Sequence, residues 1–240
     1  MFGDVHGNLP ALKAVYSSIE SSPVEQVICL GDLAFKGPQP GECVSFVRRM
    51  SIPVVSGNTD DELCSVYKQG SSNELPARPS AASIPYYRWH SDRMTADDME
   101  YLAALPSCHT QMEKGGVLSF SHCPPPETGQ DLVAVIYGHT HVPIVMQGGR
   151  MIVANPGAVG FSLDGDWRAS FLTLDTGLMQ AAITRVRYDI EETIQAARDA
   201  RFCFDVDWYA SALRSGWWEP VPWDIRARTI DHYPGKVDKA

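Results

Sequence analysis

Four times in its first 141 residues this sequence runs a short β-rich stretch into a small or turn-forming residue and then into a side chain of metal-ligand type. Gly31-Asp32 follows the apolar residues 27–30, and Gly57-Asn58-Thr59-Asp60 follows residues 52–55. Ser121-His122 follows residues 117–120, and Gly138-His139-Thr140-His141 follows residues 133–137. The start of the chain, Gly3-Asp4-Val5-His6-Gly7-Asn8, supplies a fifth set. A parallel sheet lines such strand ends up along one edge, and ligands gather outside those ends. Five sets of hard or borderline ligands in one chain therefore point to one composite metal centre on an α/β scaffold.

Each set alone says little. Asp4 and His6 stand two residues apart, so in an extended segment both project to one face. A carboxylate oxygen with an imidazole nitrogen suits a borderline divalent ion. An isolated Asp-x-His is nevertheless most simply a pair of loop residues. The set is what carries weight, because four of the seven histidines fall within these motifs.

The order GDxHGN, GD, GNxD, SH and GHTH resembles that of the calcineurin-like metallophosphoesterases, most closely their small bacterial and archaeal phosphodiesterase branch. The motifs span Gly3 to His141, and Asn155-Pro156-Gly157 also fits that branch. The resemblance implies a two-sheet α/β sandwich with helices on both outer faces. It implies two divalent ions, drawn from Mn, Fe, Zn, Ni and Mg. Asp4, His6, Asp32 and His141 would hold one, and Asp32, Asn58, His122 and His139 the other, with Asp32 bridging. Asp32, Asn58 and His122 would also be catalytic. A bridging hydroxide would attack phosphorus in line with the leaving group.

Many members of the family that this sequence resembles carry a histidine after the Asn of the third motif, and here that place is Thr59. A general acid typically contributes ~10²–10⁴-fold. Its loss favours substrates whose leaving group needs little protonation. Asp60, Asp61 and His90 are the substitutes in reach of the sequence argument. Asp60 and Asp61 read more simply as favourable charge at a helix N-terminus. The leading expectation is a phosphodiesterase acting on small phosphoesters. The alternatives are a phosphoanhydride or phosphomonoester hydrolase, acting on dinucleoside polyphosphates or phosphoproteins, and a non-catalytic interaction scaffold of the same fold.

The 240 residues, 44% apolar and 20% charged, fit an ordinary globular protein with one large core. No apolar run approaches the ~18 residues that a membrane span needs, and no signal peptide is read ahead of the first motif. Six cysteines without a C-x-x-C pair read as free thiols in a reducing compartment, so a cytoplasmic location is expected. Cys123 follows His122 and is a weaker candidate for approach to the metal. The net charge of −9, without a basic stripe, disfavours general nucleic-acid binding.

Only Met1 and Phe2 precede the first motif, where relatives have a strand of several residues. A start assigned too late, or a shortened first strand, is expected. Helices are read over 9–20, 41–50, 60–68, 95–104, 189–200 and 207–213, and strands over 26–30 and 52–56. Hairpins are read over 142–154, turning at Gly148-Gly149, and over 170–187, turning at Asp175-Thr176-Gly177. Residues 69–93 read as an irregular excursion, either a lid or a solvated connector. No period is visible after 216, although Trp217, Trp218 and Trp223 want a partner surface. No linker divides the chain, so one domain over 1–240 is expected.

Overall fold

The computed structural model describes residues 1–69, 83–113, 115–124 and 131–217. Helix α1 (Leu9–Glu20) opens at Asn8, whose side chain accepts from the Ala11 amide, with proline in the first turn. Its Leu12, Val15 and Ile19 are buried on one face. Helix α2 (Pro40–Met50) ends at Ser51, which takes the left-handed conformation common at helix ends. Helix α3 (Asn58–Gln69) is followed by α4 (Ile84–Ser91) and α5 (Ala96–Ala103). Thr95 and Asp98 form a capping box on α5.

The strands come next: β1 (Cys108–Glu113), β2 (Gly116–Ser121), β3 (Leu132–Tyr137), β4 (Ile144–Gly148), β5 (Met151–Asn155), β6 (Ala169–Asp175) and β7 (Gln180–Val186). Helices α6 (Ile190–Asp199) and α7 (Val206–Ser215) close the described chain. The larger sheet has the order β1-β2-β3-β5-β4, with its three central strands parallel and both edges antiparallel. Strands β6 and β7 form an antiparallel pair.

The start of the chain extends that pair. Met1 exchanges backbone hydrogen bonds with Leu172, at 2.7 and 2.8 Å. Phe2 exchanges them with Ile28 and Leu30, and Cys29 with Pro53 and Val55. The expected strands at 26–30 and 52–56 are thus reduced to single bridges, Phe2–Cys29 and Cys29–Val54. Two local causes are visible. Pro53 has no N–H to give to a ladder. Asp4, Gly31 and Asp32 all have φ between 51 and 83°, which turns the backbone away after two or three paired residues. Phe2, which makes the first of these bridges, is fully buried.

Alternation along these segments builds two cores. Ile28, Leu30, Val55 and Leu172 meet Leu118, Phe120, Ile136 and Ile152 of the larger sheet. Phe2, Cys29 and Val54 point the other way, into a core with residues of the helices such as Leu12, Val44, Leu63, Leu102 and Tyr209. Fully burying an aliphatic side chain contributes about 1.5–3 kcal/mol, so these short segments are held by packing as much as by pairing. The two-sheet α/β architecture with helical cover is the one the sequence implies.

Four further details differ from the sequence reading. Residues 84–91 are helical, not irregular; residues 70–82 of the same excursion lie outside the described residues. Strand β1 was not anticipated, because Cys-His-Thr-Gln-Met-Glu is polar and lies on a sheet edge. Helix α3 begins at Asn58, two residues early, so that Asn58 sits in its first turn. Of the three late tryptophans, Trp217 is exposed, and Trp218 and Trp223 lie outside the described residues.

Candidate metal centre

All seven expected ligand residues come together where the short segments, β2 and β3 end. His6 Nε2 lies 2.9 Å from His141 Nε2, and His141 Nε2 lies 3.2 Å from Asp4 Oδ1. Asn58 Oδ1 lies 3.0 Å from His122 Nε2 and 2.9 Å from His139 Nδ1. Asp32 stands between the groups, its Oδ2 3.6 Å from His6 Nε2 and 3.4 Å from His122 Nε2. Asp4, His6, Asp32, His122 and His141 are at most 2% exposed.

Backbone strain is concentrated here. Among the described residues, nine non-glycine residues have positive φ, and five of them are Asp4, His6, Asp32, His139 and His141. Each such residue costs on the order of 1–3 kcal/mol, and such strain clusters at functional sites. Glycine would relieve it but would remove the side chain.

The ring orientations test whether a cation fits. His6 Nδ1 faces the Phe35 carbonyl at 2.8 Å, and His122 Nδ1 faces the Leu30 carbonyl at 2.7 Å. His141 Nδ1 faces the Phe161 carbonyl. A carbonyl only accepts, so each Nδ1 carries a proton, and in the neutral ring each Nε2 keeps a lone pair. Those lone pairs converge on one another and on the oxygens of Asp4, Asp32 and Asn58. Such a cluster of acceptors is repulsive unless a positive charge sits among them, and the donor set suits a divalent ion.

Electrostatics agrees. Burial would raise the Asp32 carboxyl, but His122 and His6 reverse this and hold it well below the usual range. Burial would lower the His122 ring, yet the Asp32 and Asp4 carboxylates lift it to about 10. A proton on His122 is thus the competitor a metal displaces at this point. Burial lowers His6, and Lys36 and His141 add to that.

Two further residues escaped the sequence argument. Asp60 does not act as solvent-facing helix charge. It is fully buried and accepts from the Leu33 amide at 2.9 Å and the Gly57 amide at 3.2 Å. It thereby ties the residue after Asp32 to the residue before Asn58. The return tie is Asp32 Oδ1, which accepts from the Thr59 amide at 2.9 Å. Burial and repulsion from Asp32 push the Asp60 carboxyl up to about 7. Gly57 permits this approach, since a Cβ there would sit 2.0 Å from Asp32 Oδ1. Lys36, four residues after Asp32, is the other. Burial lowers its ammonium pKa, opposed by Asp32, Asp4 and Glu62. Its position after a motif aspartate was the one signal in the sequence.

Two of the substitutes considered for a general acid, Asp60 and His90, are otherwise engaged, whereas Asp61 is exposed. Asp60 is spent on two amides. His90 is fully buried beside Phe35, Trp89, Phe202 and Phe204, with Nδ1 on the Tyr86 carbonyl at 2.7 Å. Thr59 is 5% exposed, and its hydroxyl has no hydrogen-bond partner among the described residues. Cys123 Sγ comes within 4.8 Å of ligand atoms of His122 and His139, on the exposed side. Asn155 fixes the GHTH loop, donating to the Gly138 carbonyl at 2.5 Å and to Thr140 Oγ1 at 3.0 Å.

Residues 1–177 match the family model described as the calcineurin-like phosphoesterase superfamily domain. The chain belongs to that superfamily. It is therefore a phosphoric ester hydrolase of a metal-dependent family. An uncharacterised protein of Methanocaldococcus jannaschii is 27% identical over 224 residues, which cover 81% of this chain and 89% of the relative. Phosphodiesterase YfcE of Escherichia coli K12 is 24% identical over 190 residues, covering 73% of this chain and 86% of YfcE. Among solved structures, a metallophosphoesterase from Sphaerobacter thermophilus superposes with a TM-score of 0.70 at 26% identity, covering 90% of this chain and 98% of that one. Among the described residues, no helix of this superfamily member is long and apolar enough to cross a membrane.

Proposed function

We propose that this chain is a phosphodiesterase that works with two divalent cations. Asp4, His6, Asp32 and His141 form one binding set, and Asp32, Asn58, His122 and His139 the other. The observation that carries this reading is the position of Asp32 Oδ2, 3.6 Å from His6 Nε2 and 3.4 Å from His122 Nε2, within reach of both sets. Two bound cations supply Lewis acidity and an activated water for in-line displacement at phosphorus.

The protein's own part is positioning and charge. The Leu30, Phe35 and Phe161 carbonyls fix three imidazoles with Nε2 turned inward. Lys36 places a positive charge beside Asp32 and Asp4, where it offsets phosphoryl charge. Thr59 has no proton of useful acidity to give, so the leaving group departs with little help. Preference for diesters is supported by the relative YfcE, which is named a phosphodiesterase. The test is purified protein, supplied in turn with Mn, Zn, Ni and Mg, against aryl phosphodiesters, aryl monoesters and dinucleoside polyphosphates. Turnover of the diesters at the highest kcat/KM is expected. Turnover of monoesters or polyphosphates with inert diesters would replace this reading.

A further inference from the structure

A cavity of about 650 Å³, open to solvent, lies between α1, α2 and the turn that follows α4. Small-molecule pockets run from about 300 to 1,000 Å³, so a ligand of nucleotide size fits. None of the seven metal-type residues lines it.

Its lining is unusual for a chain of net charge −9. Lys13, Arg49 and Arg93 face it together with a single carboxylate, Glu42. Among the described residues, neither Lys13 nor Arg49 forms an ion pair, with Glu42 or with any other carboxylate. Arg93 is fixed in place. Its guanidinium lies 3.7 Å over the Trp89 ring and donates to the Trp89 carbonyl at 3.0 Å and the Ala200 carbonyl at 3.2 Å. Two of its five N–H groups are used in this way, and three remain. A guanidinium held rigid loses little entropy when it binds an anion. Leu9 and Phe46 give the same cavity an apolar wall.

A cationic end and an apolar wall in one cavity select a ligand with the same two parts. We propose that this cavity binds a phosphate-bearing small molecule with a flat apolar body, the chemistry of a nucleoside monophosphate. The phosphate meets Arg93, Arg49 and Lys13, and the flat body lies along Leu9 and Phe46. The inference stands apart from the proposed diesterase activity, because the cavity contains no residue of the metal-type cluster.

The experiment is calorimetric titration of AMP into the full chain after metal has been removed with chelator. The Asp32→Asn variant, treated in the same way, excludes binding through residual metal. Adenosine and inorganic phosphate are titrated separately, so that the two halves of the ligand are read apart. Expected is AMP binding to both metal-free proteins, at least tenfold tighter than either half. The Lys13→Glu, Arg49→Glu double variant, at two exposed positions, should lose at least tenfold in AMP affinity with an unchanged circular dichroism spectrum. Absence of AMP binding in the metal-free proteins would overturn the proposal. So would undiminished binding by the double variant, or phosphate binding as tightly as AMP.

Discussion

His6 and His141 face each other nitrogen to nitrogen, Nε2 to Nε2 at 2.9 Å, with each ring turned by a backbone carbonyl behind it. The residues are 135 positions apart in sequence. Neither nitrogen carries the proton, so the contact is unfavourable until a cation enters.

Metal should therefore stabilise the fold, not only switch on activity. Binding to the native state alone adds RT ln(1 + [L]/Kd), about 2.7 kcal/mol at a hundredfold excess over Kd. Thermal unfolding with and without Mn or Zn should show a clear rise in Tm for the wild type, reduced in His141→Ala. An equal rise in both proteins would place the metal elsewhere.

Asp60 should matter even when no metal is bound. Asp60→Ala leaves the Leu33 and Gly57 amides without their acceptor in a fully buried place. Each unsatisfied buried group costs about 1–3 kcal/mol. Denaturant unfolding of the metal-free protein should show a loss of several kcal/mol for Asp60→Ala and a smaller one for Asp60→Asn, which keeps an acceptor oxygen. A loss below about 1 kcal/mol for Asp60→Ala would mean that the clamp is not needed.

His90 gives the stability a pH dependence. Burial lowers its ring from 6.5 to about 4, so the folded state resists a proton that the unfolded state takes up. The unfolded state then binds more protons between those values, and stability falls as pH drops from about 6.5 to about 4. The loss from this group is roughly 3 kcal/mol at most. His90→Gln should flatten the profile across that window relative to wild type. Parallel profiles for the two proteins would assign the acid sensitivity to other groups.

Thr59 predicts a kinetic signature. Without an acid at that place, negative charge builds on the departing oxygen, and rate should depend steeply on leaving-group acidity. Across a series of substituted aryl diesters the wild type should show that steep dependence. Thr59→His should flatten it by helping poor leaving groups more than good ones. A shallow dependence in the wild type would reveal another proton donor.

The convergence of the seven candidate residues was legible because their motifs follow short apolar runs and turn residues, a pattern that survives in one dimension. The two hairpins were legible for a similar reason, with Gly148-Gly149 and Asp175-Thr176-Gly177 marking their turns. Asp60 was not legible, since an acidic residue in a helix's first turn has a sufficient local explanation, and only the fold buries it between Leu33 and Gly57. Strand β1 was hidden by its polar, edge-strand composition. Helix α4 was hidden because Pro85 and neighbouring aromatics read as breakers and surface residues, whereas proline is at home in a helix's first turn. The left-handed backbone at five of the seven candidate residues was not legible, because Asp and His, although enriched in that region, occupy it in only a small share of cases.

Asp32 shared between two cations is the central claim, and anomalous diffraction from crystals grown with Mn or Zn tests it most directly. Two anomalous peaks are expected roughly 3.5–4 Å apart, one beside Asp4, His6 and His141, the other beside Asn58, His122 and His139, with one Asp32 carboxylate in contact with both. A single fully occupied peak, or two peaks of which only one touches Asp32, would contradict the account.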